Sequence, residues 1–200
     1  MPPRPRSISQ HAFAETDQEL FPLTPEDPLD SERTRFSEDR RHRFTLYRSF
    51  RLRDPERDPE HYVAFIGMNP SSANAVQADA TVARCIDFAF RWGFGGMYML
   101  NALSLRATQS SELREFSPNR PENDRWIREV VSRAARVVVA WGAPGQRDGR
   151  GAAVEQILRE ACAPEVVFCF GRNQDGSPTH PLYQRRDVVL VPYFAEKPRK

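Results

Sequence analysis

The chain has 200 residues, of which 40% are hydrophobic, enough for one domain with a substantial core and too few for two large ones. Its formal charge of +2 conceals arginine clusters at 40–43, at 48, 51 and 53, at 147 and 150, and at 185–186, which suit either phosphate contacts or a solvated face balanced by the 27 acidic residues. No apolar run reaches the roughly 18 residues of a membrane span, and the start, MPPRPRSISQ, lacks the apolar centre of a signal peptide, so a cytoplasmic location without a membrane partner is expected.

Residues 1–41 are rich in proline and charge with little periodicity, and read as a flexible N-terminal arm preceding a single α/β domain at 42–200. Polar and apolar residues alternate over 43–52, the pattern of a strand at a sheet edge, before the acidic turn at 53–59 breaks the chain. Val63 to Ile66 is wholly apolar, as in a buried parallel strand, and stops at Gly67-Met68-Asn69-Pro70-Ser71-Ser72. Val82, Cys85, Ile86, Ala89 and Trp92 then share a helical stripe that Gly93 ends. Met97 to Leu100 forms a second apolar strand closed by Asn101. A polar loop over 104–120 leads to a helix with Trp126, Ile127, Val130, Val131 and Ala134 on one face. Strand 137–141 ends at Gly142, helix 149–161 follows, and strand 166–170 ends at Gly171. This alternation implies a three-layer α/β/α sandwich around a central, mostly parallel four-stranded sheet, with the arm and an edge strand added. The three cysteines, Cys85, Cys162 and Cys169, lie in apolar segments and read as buried thiols, so no metal site is expected.

Ligands of open parallel sheets bind beyond the carboxyl ends of the strands. There the sequence places Asn69 with Pro70 and Ser71, then Asn101, then Trp141 with Gly142, and finally the loop Gly176-Ser177-Pro178-Thr179-His180-Pro181-Leu182. Two carboxamides and a histidine, without a charged group at the strand ends, suit hydrogen bonding to a neutral heterocycle. The phosphate-binding patterns Gly-x-x-x-x-Gly-Lys-Ser/Thr and Gly-x-Gly-x-x-Gly are absent, as is the Gly-x-Ser-x-Gly elbow. Each residue also has a structural reading: Asn69 as the N-cap of the following helix, His180 as an ordinary loop residue, Trp92 and Trp141 as core.

The segments FIGMNPSS, GGMYMLNALSLRAT, VVVAWGAPGQR and GSPTHPLY, in this order over residues 61–194, resemble the uracil-DNA glycosylase superfamily, through an uncharacterised bacterial family, domain of unknown function 1643. The resemblance implies a monofunctional DNA glycosylase that flips out a uracil-like or modified pyrimidine and hydrolyses its N-glycosidic bond. The biological setting would be repair or defence against phage DNA with modified bases. It implies that Asn69 holds the attacking water, as in the mismatch-specific branch, and that His180 hydrogen-bonds a base oxygen. Asn101 would read the base edge, with Gly67, Met68, Pro70, Ser71 and Trp141 as the pocket wall. Leu182 or Tyr183 would be the wedge entering the duplex; Ser72, Arg106, Ser177, Pro178, Thr179, Arg185 and Arg186 would contact DNA. His-Pro-Leu-Tyr replaces the superfamily's His-Pro-Ser-Pro, so Ser177 and Thr179 are candidates for the displaced serine. Ser71 and Ser72, where known members carry a bulkier or different residue, suggest a roomy pocket. The expected protein is a monomer that uses no cofactor and has DNA as its partner. Two other classes fit the same residues: a nucleoside or nucleotide hydrolase, and a non-catalytic reader of modified bases.

Overall fold

A computed structural model describes residues 27–70, 80–107, 119–144 and 149–194. Seven strands form one mixed sheet in the order β1-β2-β4-β3-β5-β6-β7. They are β1 (Arg35–Phe36), β2 (Arg43–Ser49), β3 (Tyr62–Gly67), β4 (Gly96–Asn101), β5 (Arg136–Val139), β6 (Val167–Cys169) and β7 (Val191–Pro192). The expected four-stranded parallel sheet is its centre, β4-β3-β5-β6. The sheet is larger than expected because three antiparallel strands extend it: β2 on β4, β1 on β2, and β7 on β6. Two-residue strands such as β1 and β7 carry no periodicity for a sequence to display.

Along β3 the side chains alternate between two cores, as the two-residue repeat of a strand requires. Tyr62, Ala64 and Ile66 face one core with Ile127, Val130 and Val131 of helix α3 (Pro121–Val131) and Val154, Ile157 and Leu158 of α4 (Arg150–Ala161). Val63 and Phe65 face the other with Val82, Cys85, Ile86, Phe88 and Ala89 of α2 (Ala80–Arg91). The sheet is thereby covered on both faces, which is why β3 and β5 read as unbroken apolar runs. Cys85 and Cys169 are buried free thiols and Cys162 is partly buried; burial pushes the Cys162 and Cys169 thiols above their ordinary range.

The strand expected at the sheet edge is not the edge. β2 is buried at six of its seven positions because α1 (Pro28–Arg33) and β1, both within the segment read as the arm, cover it. Polar side chains make that junction. The Thr45 hydroxyl donates to the Arg33 carbonyl (2.7 Å) and accepts from the Arg35 amide (2.9 Å), while the Tyr47 amide donates to the Thr34 hydroxyl (3.1 Å). Buried Asp30 accepts from the Ser49 amide at 2.6 Å, and Asp27, which caps α1 through the Leu29 amide, pairs with Arg51. These partners explain why polar residues interrupt the strand pattern yet lie inside. Residues 1–26 of the expected arm lie outside the described residues. No helix among the described residues is long and apolar enough to cross a membrane.

The turn before β4 is tight: a Cβ on Gly95 would stand 2.0 Å from the Asp58 carbonyl oxygen, and backbone cannot yield as a flexible side chain does. Gly95→Ala is therefore expected to lower stability by about 1–3 kcal/mol, measured as a fall in the urea midpoint at unchanged slope.

Candidate functional site

The site is built from the level ends of the parallel strands. Gly67 of β3 pairs with Asn101 of β4. Beyond them the two chains run on together, with the Ala102, Leu103 and Ala107 amides donating to the carbonyls of Gly67 (2.9 Å), Met68 (2.8 Å) and Pro70 (3.0 Å). After β5 the Ala140 amide donates to Ile66 (2.9 Å) and the Gly142 amide to Pro178 (3.0 Å), which draws the 172–180 loop over the end of β5. Within that loop Asn173 Nδ2 donates to the Ser177 hydroxyl (2.8 Å), and Ser177 in turn donates to Asp175 (2.6 Å). The Ser177 hydroxyl and amide together hold the Asp175 carboxyl below its usual range.

These connections enclose a cavity of about 430 Å³. Of the residues singled out from sequence, Gly67, Met68, Asn69, Asn101, Trp141, His180 and Tyr183 line it. Asn69 does not cap α2, which begins at Ala80; its Nδ2 donates to the Pro70 (3.0 Å) and Ala107 (2.9 Å) carbonyls. With the nitrogen so engaged, Oδ1 is the acceptor that the amide can offer a ligand. Hydrogen bonding sets the Asn101 amide with Nδ2 toward the carbonyls of Leu100 and Asn69, 3.3 Å from each. A Cβ on Gly67 would lie 3.2 Å from the Asn101 amide, so glycine at the strand end leaves that amide its place.

His180 stands at the head of the short turn Pro181–Tyr183, where its Nδ1 accepts from the Leu182 amide at 3.4 Å. An accepting Nδ1 assigns the proton of the neutral ring to Nε2, making that atom a donor. Trp141 is 1% exposed and set edge-on to Tyr193, and its Nε1 has no hydrogen-bond partner among the described residues. Tyr183 packs its ring 5.7 Å from that of His180 and is 84% exposed, whereas Leu182 is half-buried; of the two wedge candidates, the tyrosine is the one that projects.

The remaining candidates lie elsewhere. Pro70 and Pro178 are buried backbone partners of the walls, and Ser177 is fully buried inside its loop. Thr179 bonds back to Gly171. Arg106 turns to the Arg40 carbonyl (3.1 Å) and the Phe36 ring. Arg185 is paired with Asp187 on the surface, and Arg186 approaches Asp87 of α2 at 3.7 Å. Ser71 and Ser72 lie outside the described residues. The sequence reading missed Arg43, Thr81, Met99 and Asn173, and the apolar Ala107, Ala143 and Pro144, as lining residues. Asn173 carried a signal, standing two residues past a strand-closing glycine. Arg43 carried none, because only the antiparallel placement of β2 brings its first residue to the carboxyl ends of the parallel strands.

A second, shallower depression of about 640 Å³ lies beside the first, lined by His42, Arg41 and Arg120 together with Asp39 and Glu122. Buried His42 holds the Ser104 hydroxyl at 2.9 Å. Among the described residues no group of three His, Cys, Asp or Glu side chains could hold a metal ion.

Fold and site together define an α/β protein with a crevice at the carboxyl end of a parallel sheet, walled by carboxamides, a histidine and an indole. The chain belongs to the family described as Protein of unknown function (DUF1643), whose model matches residues 43–182, from the first residue of β2 to just past His180. No curated protein and no solved structure matches it.

Burial, with Arg120 nearby, pushes the His42 pKa below its ordinary 6.5. The unfolded chain therefore takes up this proton first, and the associated stability, complete above about pH 6.5, is lost as pH falls toward the folded value. Urea midpoints measured from about pH 7.5 to 5.5 should decline, and His42→Gln should flatten that decline.

Proposed function

We propose that this protein is a DNA glycosylase that accepts a flipped uracil-like or modified pyrimidine in the cavity and hydrolyses its N-glycosidic bond. The observation that carries the reading is the meeting of Asn69, Asn101 and His180, from three separate strand ends, on one cavity of about 430 Å³, a volume suited to a single heterocycle. The order of the four motifs along the chain, which resembles that of the uracil-DNA glycosylase superfamily, supports it independently.

Cleavage of the bond between sugar and pyrimidine develops positive charge on the sugar and negative charge on the departing base. Donors fixed at the base oxygens favour the transition state over the ground state. His180 Nε2–H is such a donor. Asn101 offers an amide held by backbone carbonyls to the adjacent edge of the ring, and the buried Trp141 N–H is a further donor in the wall. Asn69 Oδ1 orients water toward the anomeric carbon, but an amide has no basicity at neutral pH, so it positions without abstracting a proton. A slow enzyme, or one whose base is a good leaving group, follows from this chemistry. Tyr183, exposed beside His180, offers a flat ring to the stack from which a base has left. The biological setting that fits is repair, or defence against phage DNA built with modified bases.

The direct test is alkali cleavage of labelled oligonucleotides carrying uracil, mismatched thymine, hydroxymethylcytosine, its glucosylated form and hypoxanthine. Strand breaks at one base are expected, with Asn69→Ala and His180→Ala each slower by about 100-fold or more. DNA bound but left intact across the panel would instead make the protein a reader of modified bases. No DNA binding, with activity on mononucleotides, would make it a nucleotide hydrolase. Tyr183→Ala should weaken binding to duplex DNA by about tenfold, since stacking on an aromatic side chain contributes roughly 1–3 kcal/mol; equal affinities in a fluorescence-anisotropy titration would remove the wedge role.

A further inference from the structure

His180 and Tyr183 stand on a single short turn, Pro181–Tyr183, whose own bonds are all local. The Tyr183 and Gln184 amides donate to the carbonyls of His180 (3.3 Å) and Pro181 (3.1 Å), and Gln184 Nε2 reaches back to the His180 carbonyl at 3.3 Å. Such bonds shape a turn without fixing where it stands. The contact between His180 Nδ1 and the Leu182 amide is long, at 3.4 Å, so it gives the ring little hold of its own. From outside, the turn is held by α2. Arg84 Nη2 donates to the Gln184 carbonyl, and Arg186 Nε, two residues further on, lies 3.7 Å from Asp87 Oδ2. The same carboxylate oxygen is 3.8 Å from Arg84 Nη1, so Asp87 stands between the two arginines that tie the turn to the helix.

Solvent screens this cluster weakly, because the Arg84 and Asp87 side chains are only 12% and 14% exposed, and ion pairs so sheltered count for more than surface ones. Within it the two carboxylate oxygens divide their partners. Oδ1 meets Arg91 Nε at 2.7 Å, one helical turn on, while Oδ2 faces Arg84 and Arg186 and has no hydrogen-bond partner among the described residues. Oδ2 therefore acts by charge, holding two guanidiniums that would repel each other without it. The helical repeat sets Thr81, Arg84 and Asp87 along one side of α2, and Thr81 lines the cavity. One side of the helix thus runs from the cavity to the turn, although neither Arg84 nor Asp87 lines the cavity itself.

We propose that Asp87, acting through Arg84 and Arg186, is a positioning residue of this site: it fixes the turn Pro181–Tyr183 on α2 so that the His180 ring keeps its place at the cavity with its proton on Nε2. The consequence for base release rests on reading the cavity as a base pocket. The placing of the ring does not, so a spectrum of the histidine and a rate of cleavage test different things.

The tautomer is read from two-bond nitrogen–proton spectra of the histidine rings in the full chain at about pH 8, where an ordinary histidine is neutral. The chain has four histidines, and the signals lost in His180→Gln identify His180. Wild type should show the Nε2–H form. Asp87→Asn, which keeps the shape and removes the charge, and Arg84→Met, which removes the bond to the Gln184 carbonyl, should each give mixed tautomers and faster hydrogen exchange at the Leu182 amide. Asp87→Glu should restore most of the wild-type signal. Circular dichroism shows that each variant is folded, and should Asp87→Asn fail to fold, Arg84→Met decides. On the oligonucleotide that wild type cleaves, Asp87→Asn should slow base release in a single turnover by roughly tenfold, with no further loss when added to His180→Ala. A wild-type ring protonated on Nδ1, His180 signals unmoved in the folded variants, or additive losses in the double variant overturns the proposal. A tautomer that changes with Asp87, but no base released by wild type from any oligonucleotide, would remove the glycosylase reading and leave this one standing. Base release by Asp87→Asn at the wild-type rate, with the His180 signals unmoved, would do the reverse.

Discussion

The register between β3 and β4 is the constraint on which the rest of the site depends. Because Gly67 pairs with Asn101, the two central strands end level, and the carboxamides that follow them can face one space. The level ends are held beyond the strands by three further amide-to-carbonyl bonds, of which the last, from Ala107 to Pro70, sets the peptide next to Asn69. Asn69 then locks its own amide on the Ala107 carbonyl, so its orientation is inherited from backbone pairing rather than from side-chain packing. A slip of one residue would send every β3 side chain to the opposite core, placing Tyr62, Ala64 and Ile66 among the α2 residues. The apolar packing of both faces thus enforces the geometry of a polar site at the sheet's end.

What could be read from the sequence divides along the same physical line. The parallel centre was legible because strands buried on both faces must be apolar throughout, and because β3, β4 and β5 are each followed by a helix with its own stripe. The polar residues just past those strands were legible for the related reason that an apolar run ending in Asn, Trp-Gly or a His-Pro loop leaves the ligand-binding ends conspicuous. What escaped was set by pairings between segments with little local pattern. β1 and β7 have two residues each, and the burial of β2 depends on Thr45, Asp30 and Thr34 finding one another across the chain. Arg43 is the informative case, since its sequence context, Arg40-Arg41-His42-Arg43, reads as a cluster for phosphate contacts or a solvated face. Only its position at the head of an antiparallel strand beside β4 turns it from solvent to cavity, and no local periodicity encodes that neighbour.

The electrostatics of the crevice follow from what each wall can and cannot ionise. Carboxamides keep the same charge at all pH, the indole donates without titrating, and the guanidinium never loses its proton. Among the described groups lining the cavity there is no carboxylate, and the Nδ1 of His180 accepts from the Leu182 amide. Such a wall presents mainly fixed dipoles. That is the arrangement expected where a leaving group acquires negative charge during reaction, because donors already in place need no reorganisation when the charge appears. It is less suited to a reaction that needs a strong general base, for which a carboxylate would be required and the described wall supplies none.

The two ends of the cavity are built differently. At one end His180 and the exposed Tyr183 share a short turn, with their rings 5.7 Å apart. At the other end Arg43 is anchored in β2, which is itself buried under α1 and β1, and its backbone amide is held by the Ser104 carbonyl at 2.9 Å. Rigid elements hold a side chain to tighter tolerances than loops do, so the β2 end of the cavity is the more closely fixed of the two. Segment 27–41 thereby supports the cavity wall: without α1 and β1 to cover it, β2 would be a solvent-exposed edge, and the arginine at its head would lose its fixed position.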